Sequence, residues 1–144
     1  HVLATQLHAD GAYANLLSVD NSVWHEFVPQ YVQMQGKEVF RFATTKLGEL
    51  VSQLVEKAGI AQSDIDWLIP HQANKRIIDA IAKKLQLGQD KIIQTIEYHG
   101  NTSSASVPLA LDYAVTAGKV QAGDILMLEA FGGGFAWGAV LLKY

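Results

Sequence analysis

Cysteine is missing from all 144 residues, which excludes disulfides and thiolate metal ligands within this chain. No apolar run approaches the ~20 residues of a membrane-spanning helix. The opening His1-Val2-Leu3-Ala4-Thr5 lacks a basic segment followed by a long apolar stretch, so no signal peptide is visible. These absences fit a cytoplasmic protein. A large charge excess is also missing: the net charge is −3, giving no reason to expect nucleic acid as a partner. There is no P-loop or dinucleotide fingerprint. His8, Asp10 and His99 do not form a ligand set with sensible spacing, so no metal is expected. An initiating Met is lacking too, and the chain is expected to be the C-terminal part of a longer one. What is plentiful is apolar: 49% hydrophobic against 17% charged residues, the reverse of a disordered composition. The length suffices for one domain with a core.

Residues 2–9 alternate weakly, Asp10-Gly11 signals a turn, and residues 16–19 read as a short strand. Residues 20–36 lack periodicity and hold Pro29 and Gly36, as a loop would. Phe40, Ala43, Leu47, Leu50, Val51, Leu54 and Ala58 then repeat at helical spacing, with Gly59 placed as a C-terminal stop. The spacing predicts a strand over 66–69 ended by Pro70, a helix with Ile77, Ile78, Ile81, Ala82 and Leu85 inward, and a strand over 91–96. A helix follows over at least 109–117, its start obscured by Pro108, which costs ~3 kcal/mol in a helix interior. Strands over 125–130 and 135–143 close the chain, joined by a Gly-rich link and antiparallel to each other. Strands alternating with helices imply an α/β fold, a mostly parallel mixed sheet covered by helices on both faces.

Three polar clusters punctuate this order. Pro70-His71-Gln72-Ala73-Asn74-Lys75-Arg76-Ile77 and His99-Gly100-Asn101-Thr102-Ser103-Ser104-Ala105-Ser106 each follow a strand-like run and open a helix-like one. Open α/β sheets bind ligands beyond the carboxyl ends of their strands, so His71 and Asn101 are expected to meet there. A neutral imidazole and a carboxamide can together donate to one oxygen and stabilise an oxyanion or enolate. Each also has a plain reading, His71 as a structural histidine and Asn101 as a turn or capping residue. The third cluster, Glu129-Ala130-Phe131-Gly132-Gly133-Gly134-Phe135-Ala136-Trp137-Gly138, is either a hairpin link or a place where backbone N–H groups approach a ligand. If Asn74 caps its helix, Lys75 and Arg76 oppose the helix dipole at a cost of ~0.3–1 kcal/mol. With Lys37, Arg41, Lys83 and Lys84 they make either a solvated surface or a patch for an anionic partner. Trp24, Trp67 and Trp137 read as core or interface residues, and His1 and His25 have no assignable role.

Together these motifs, with Leu7-His8-Ala9-Asp10-Gly11, resemble the C-terminal half of β-ketoacyl-acyl-carrier-protein synthase III, the condensing enzyme that starts bacterial type II fatty-acid synthesis. The resemblance covers nearly the whole chain. A His-then-Asn pair marks this branch, whereas elongating relatives use two histidines. The resemblance implies the thiolase fold, two α/β halves of order βαβαβαββ. Residues 1–20 would be the tail of the N-terminal half and 21–144 the C-terminal domain. It implies that the nucleophilic cysteine lies in the missing N-terminal half, so that this chain alone is inactive. No cofactor is implied. The substrates would be an acyl-coenzyme A thioester and malonyl-acyl carrier protein. His71 and Asn101 would hold the malonyl thioester carbonyl as it becomes an enolate, and Gly133 N–H would serve the oxyanion hole of acyl transfer. Arg41 and Arg76 would meet the carrier protein or its pantetheine entry, and Asn74 the pantetheine arm. The family is dimeric, so a homodimer is expected, and an isolated half would expose apolar surface and associate. Relatives that make quinolone or polyketide starters, or a non-catalytic carrier-protein-binding module, are the alternatives.

Overall fold

The structure, a computed structural model, describes residues 1–19 and 31–144. The sequence-predicted loop over 20–30, with Trp24, His25 and Pro29, lies outside the described residues. Strand β1 (Val2–Ala9), a 3₁₀ turn (Gly11–Leu16), β2 (Leu17–Val19) and β3 (Val32–Met34) precede the first long helix, α1 (Gly36–Ala58). Residues 32–34, expected as loop, instead pair antiparallel with β2, Leu17 opposite Met34. Then come β4 (Trp67–Pro70), α2 (Lys75–Lys84), the single-turn α3 (Ile96–His99), α4 (Ser106–Thr116), β5 (Ile125–Gly132) and β6 (Ala136–Lys143).

The main sheet has the order β1-β6-β5-β4. β4 runs parallel to β5, while β6 is antiparallel to both β5 and β1. Residues 2–9 therefore pair along β6, inside the sheet that the rest of the chain builds. Strand alternation divides the core between two faces. Leu68 and Met127 pack with Leu47, Leu50 and Leu54 of α1 and Ile78 and Ile81 of α2. Their neighbours Ile69 and Leu126 pack with Ala110 and Ala114 of α4. Helices thus cover both faces, as the composition of these elements implies. Gly59 ends α1 in the left-handed region at φ 70°, its N–H reaching Glu56 O and Val55 O, a conformation that a side chain would strain.

The predicted strand over 91–96 does not form. Only Ile92 bridges to Leu68, in parallel, and Ile93 N–H donates to Leu68 O at 2.9 Å. The rest of the ladder is replaced by one side chain. Gln72, fully buried, donates through Nε2 to Pro70 O (2.7 Å) and Ile93 O (3.2 Å) and accepts from Thr95 N–H at 2.8 Å. A side-chain amide offers the same donor and acceptor as a peptide unit. It ties residues 93–95 to the β4–α2 loop. Freed of pairing after Ile93, the chain turns into α3, so Asn101 leaves a helical turn and not a strand. Helix α4, whose start the sequence leaves open, begins at Ser106, with Pro108 in its first turn. N–H groups there have no intrahelical partner, so proline loses nothing.

Candidate active site

Parallel β4 and β5 bring their carboxyl ends to the same edge, and the ladder continues one residue past β4: His71 N–H donates to Glu129 O at 2.7 Å. This bond fixes the His71 backbone beside β5. Its ring is half-buried and lines an open cleft of about 1790 Å³. Burial lowers the imidazole below its ordinary value of 6.5, because the charged form loses solvation, so His71 is neutral at pH 7. Its Nδ1 lies 2.6 Å from Ser106 Oγ.

Asn101 lines the same cleft. Its Oδ1 accepts from Ser103 N–H at 3.0 Å, and its Nδ2 makes a long contact to Ala73 O at 3.5 Å. The first bond sets which way the amide faces: the oxygen is used within its own turn, and the NH₂ is left to donate.

The glycine run lies along the third side. Gly132 pairs with Ala136, so residues 133–135 make the reversal between β5 and β6. Gly134 has φ 138°, which favours glycine, and the Gly134–Phe135 peptide is cis. A Cβ on Gly133 would stand 3.2 Å from Leu17 O. The Gly133 N–H, at the cleft wall, has no hydrogen-bond acceptor among the described residues. An aromatic cluster holds this turn from below. Fully buried Phe135 stacks on Tyr13 at 5.6 Å and meets Phe42 and Phe131, both at 4.7 Å between ring centroids.

Asn74 and Arg76 line the cleft as well. Asn74 caps α2, its Oδ1 accepting from Ile77 N–H at 3.0 Å. Arg76 lies over the Phe40 ring, 5.9 Å from its centroid. Lys37 and Lys75 share this rim. Arg41 does not line the cleft: it projects from α1, highly exposed, and pairs with Glu38 at 2.7 Å. Lys84 sits at the far end of α2, donating to Thr44 O and Thr45 O. The structure thus gathers His71, Asn101, Gly133, Asn74 and Arg76, and leaves Arg41, Lys83 and Lys84 outside the cleft.

Three residues of the site carry no individual signal in the sequence: Gln72, Ser106 and Glu129. Glu129 is buried on β5 against the cleft, and neither carboxyl oxygen has a hydrogen-bond partner among the described residues. Loss of solvation pushes its pKa up to about 8. Among the described residues no group of His, Cys, Asp and Glu is arranged to hold a metal ion, and no helix is long and apolar enough to cross a membrane.

Comparison with known proteins finds relatives over nearly the whole chain. Residues 55–144 match the family described as 3-oxoacyl-[acyl-carrier-protein (ACP)] synthase III C terminal. Over 142 residues the chain is 59% identical to a beta-ketoacyl-[acyl-carrier-protein] synthase III of Coxiella burnetii, covering 99% of this chain and 44% of that protein. The crystal structure of 3-oxoacyl-[acyl-carrier-protein] synthase III from Aquifex aeolicus superposes with a TM-score of 0.92 at 43% identity, over 99% of this chain and 44% of that one. The priming β-ketosynthase from the R1128 polyketide biosynthetic pathway superposes with a TM-score of 0.87 at 33% identity, covering 99% of this chain and 45% of that one. The chain therefore spans less than half the length of these relatives, and its fold is one thiolase-like α/β half.

Proposed function

Since the chain belongs to the β-ketoacyl-acyl-carrier-protein synthase III family, we propose that it is the C-terminal part of an acyltransferase that condenses an acyl-coenzyme A with malonyl-acyl carrier protein, the first carbon–carbon bond of fatty-acid synthesis. The observation that carries this reading is the meeting of His71, Asn101 and the unpaired Gly133 N–H on one cleft. In the first half-reaction the thiolate of a cysteine supplied by the absent half attacks the acyl-coenzyme A carbonyl, Gly133 N–H donates to the oxyanion of the tetrahedral intermediate, and coenzyme A leaves as the acyl–sulfur bond to it breaks. In the second, malonyl-acyl carrier protein enters and loses CO₂. Negative charge then develops on the thioester oxygen, and the His71 ring N–H and the Asn101 amide donate to it. The enolate carbon attacks the acyl-cysteine thioester, the sulfur leaves, and the β-ketoacyl carrier protein is released. No step asks for a cofactor.

His71 suits this task as a neutral donor. Burial disfavours the imidazolium, so the ring donates in its neutral form. Arg76, Lys37 and Lys75 on the rim supply the positive potential that an acidic carrier protein or a phosphopantetheine arm needs. Asn74, whose oxygen is used by its cap, keeps an NH₂ for the same arm. Arg41 would act only at the outer edge of that docking face. Leu7 is 81% exposed, and Val32 and Met34 are exposed too, all three lining the cleft wall. Apolar surface of this kind supports burial against the absent half and assembly as a homodimer.

The test is formation of β-ketoacyl product from acetyl-coenzyme A and malonyl-acyl carrier protein. The chain is assayed alone and joined to the cysteine-bearing segment of a close relative. Activity is expected only for the joined form. A properly folded, complete assembly without activity would refute the synthase reading and leave a carrier-protein-binding module.

A further inference from the structure

Ser106 is the first residue of α4 and is 1% exposed. Serine at a helix start normally caps it, yet this hydroxyl caps nothing. The helix has no side-chain cap, and the Ser106 backbone N–H is already bonded to Ser103 O. The hydroxyl instead reaches across to the β4–α2 loop. Its oxygen accepts from Gln72 N–H at 3.2 Å and lies 2.6 Å from His71 Nδ1.

A hydroxyl has a single proton, and these contacts decide where it goes. Gln72 N–H can only donate, so it occupies a lone pair of Oγ. If His71 Nδ1 also carried a proton, Oγ would receive two donors. Its own proton would then be buried without an acceptor among the described residues, which is unfavourable. If Nδ1 is unprotonated, the Ser106 O–H donates to it and every group in the chain Gln72 N–H, Ser106 O–H, His71 Nδ1 is satisfied. The ring proton of neutral His71 then resides on Nε2, the nitrogen that Ser106 leaves free. The chain starts at the backbone of the residue next to His71, so it is anchored where the ring itself is anchored.

We infer that Ser106 is a positioning residue for the condensation step: its hydroxyl holds His71 in the Nε2–H tautomer and so presents an N–H, not a lone pair, to the thioester oxygen. This rests on the proposed role of His71 as a donor. The consequence is specific. Loss of the hydroxyl leaves the imidazole in place but lets the proton distribute between both nitrogens, and a ring with bare Nε2 repels the developing enolate. Such an effect belongs to the turnover of malonyl-acyl carrier protein and not to its binding, nor to loading of the cysteine.

The experiment uses the complete enzyme labelled with ¹⁵N at the histidine ring nitrogens, the His71 signals being those lost in His71→Gln. The Nε2–H tautomer is expected for His71 in the parent, and a mixture in Ser106→Ala. In the same variant kcat for condensation should fall about tenfold, the size of one neutral hydrogen bond, with KM for malonyl-acyl carrier protein and the cysteine-acylation rate within about twofold. Ser106→Thr, which restores the hydroxyl, should recover both tautomer and rate. An Nδ1–H signal in the parent, or an unchanged tautomer in Ser106→Ala, would overturn the inference. The ring spectrum is read without turnover. An inactive enzyme with the expected tautomers would therefore reject the synthase reading while leaving the Ser106–His71 link standing.

Discussion

Replacing His71 or Asn101 by alanine in the complete enzyme is expected to slow condensation by about 10²–10³-fold, the usual cost of removing one donor from a developing oxyanion. Acyl loading of the cysteine should stay within about threefold, because the proposed mechanism gives neither side chain a part in that half-reaction. The two donors share one cleft, His71 from the end of β4 and Asn101 from the turn after α3. Acting on a single oxygen, they should not add: the double variant is expected to lose less than the product of the two single losses. Single-turnover measurements of cysteine acylation and of product formation separate the half-reactions. An equal loss in both would mean that the cleft had collapsed. A condensation rate untouched in either variant would remove that residue from the mechanism.

The second large effect concerns stability. Glu129 is fully buried with both oxygens unpartnered among the described residues, and burial raises its pKa from 4.5 to about 8. The folded chain therefore keeps the proton over a range in which the unfolded chain has released it. The sign follows from proton binding: between pH 4.5 and about 8 the unfolded state holds fewer protons, so stability falls as pH rises through this window. The full swing is on the order of 5 kcal/mol, large beside the total stability of a domain. Glu129→Gln keeps the shape and cannot ionise. Its unfolding midpoint in urea should be nearly flat from pH 5 to 8, measured against a parent whose midpoint declines by the equivalent of several kcal/mol. Parallel slopes in parent and variant would show that a partner of Glu129 keeps it ionised. The position is costly at neutral pH and lies on the strand whose carbonyl anchors His71. Stability lost at a site of this kind is common where chemistry is done.

Much of the architecture can be read along the chain because its signals are local. The repeat from Phe40 to Ala58 and the Gly59 stop give α1, Asn74 gives the start of α2, and the short apolar runs before Pro70 and Gly132 give β4 and β5. Long-range pairing leaves no such trace. Nothing in residues 2–9 says that they lie against β6, and nothing in Val32–Met34 says that they pair with β2. The strand expected over 91–96 fails for a reason invisible to periodicity. Its residues are apolar enough, but the Gln72 side chain takes the peptide groups that a ladder would need. The site divides the same way. His71, Asn101 and Gly133 sit in motifs whose residue types suggest chemistry. Ser106 and Glu129 stand in the same motifs, but their roles depend on a 2.6 Å contact and on an empty hydrogen-bonding shell, which only the fold creates. Arg41 is placed by the fold alone: α1 turns it outward to Glu38, away from the cleft.

In the proposed mechanism two neutral side chains donate to one thioester oxygen. The most direct measurement is a crystal structure of the complete enzyme with a non-decarboxylating malonyl-pantetheine analogue bound. The account predicts the thioester oxygen within about 3 Å of both His71 Nε2 and Asn101 Nδ2, with His71 Nδ1 still on Ser106 Oγ. An analogue held in the cleft with its carbonyl turned away from either donor would contradict it.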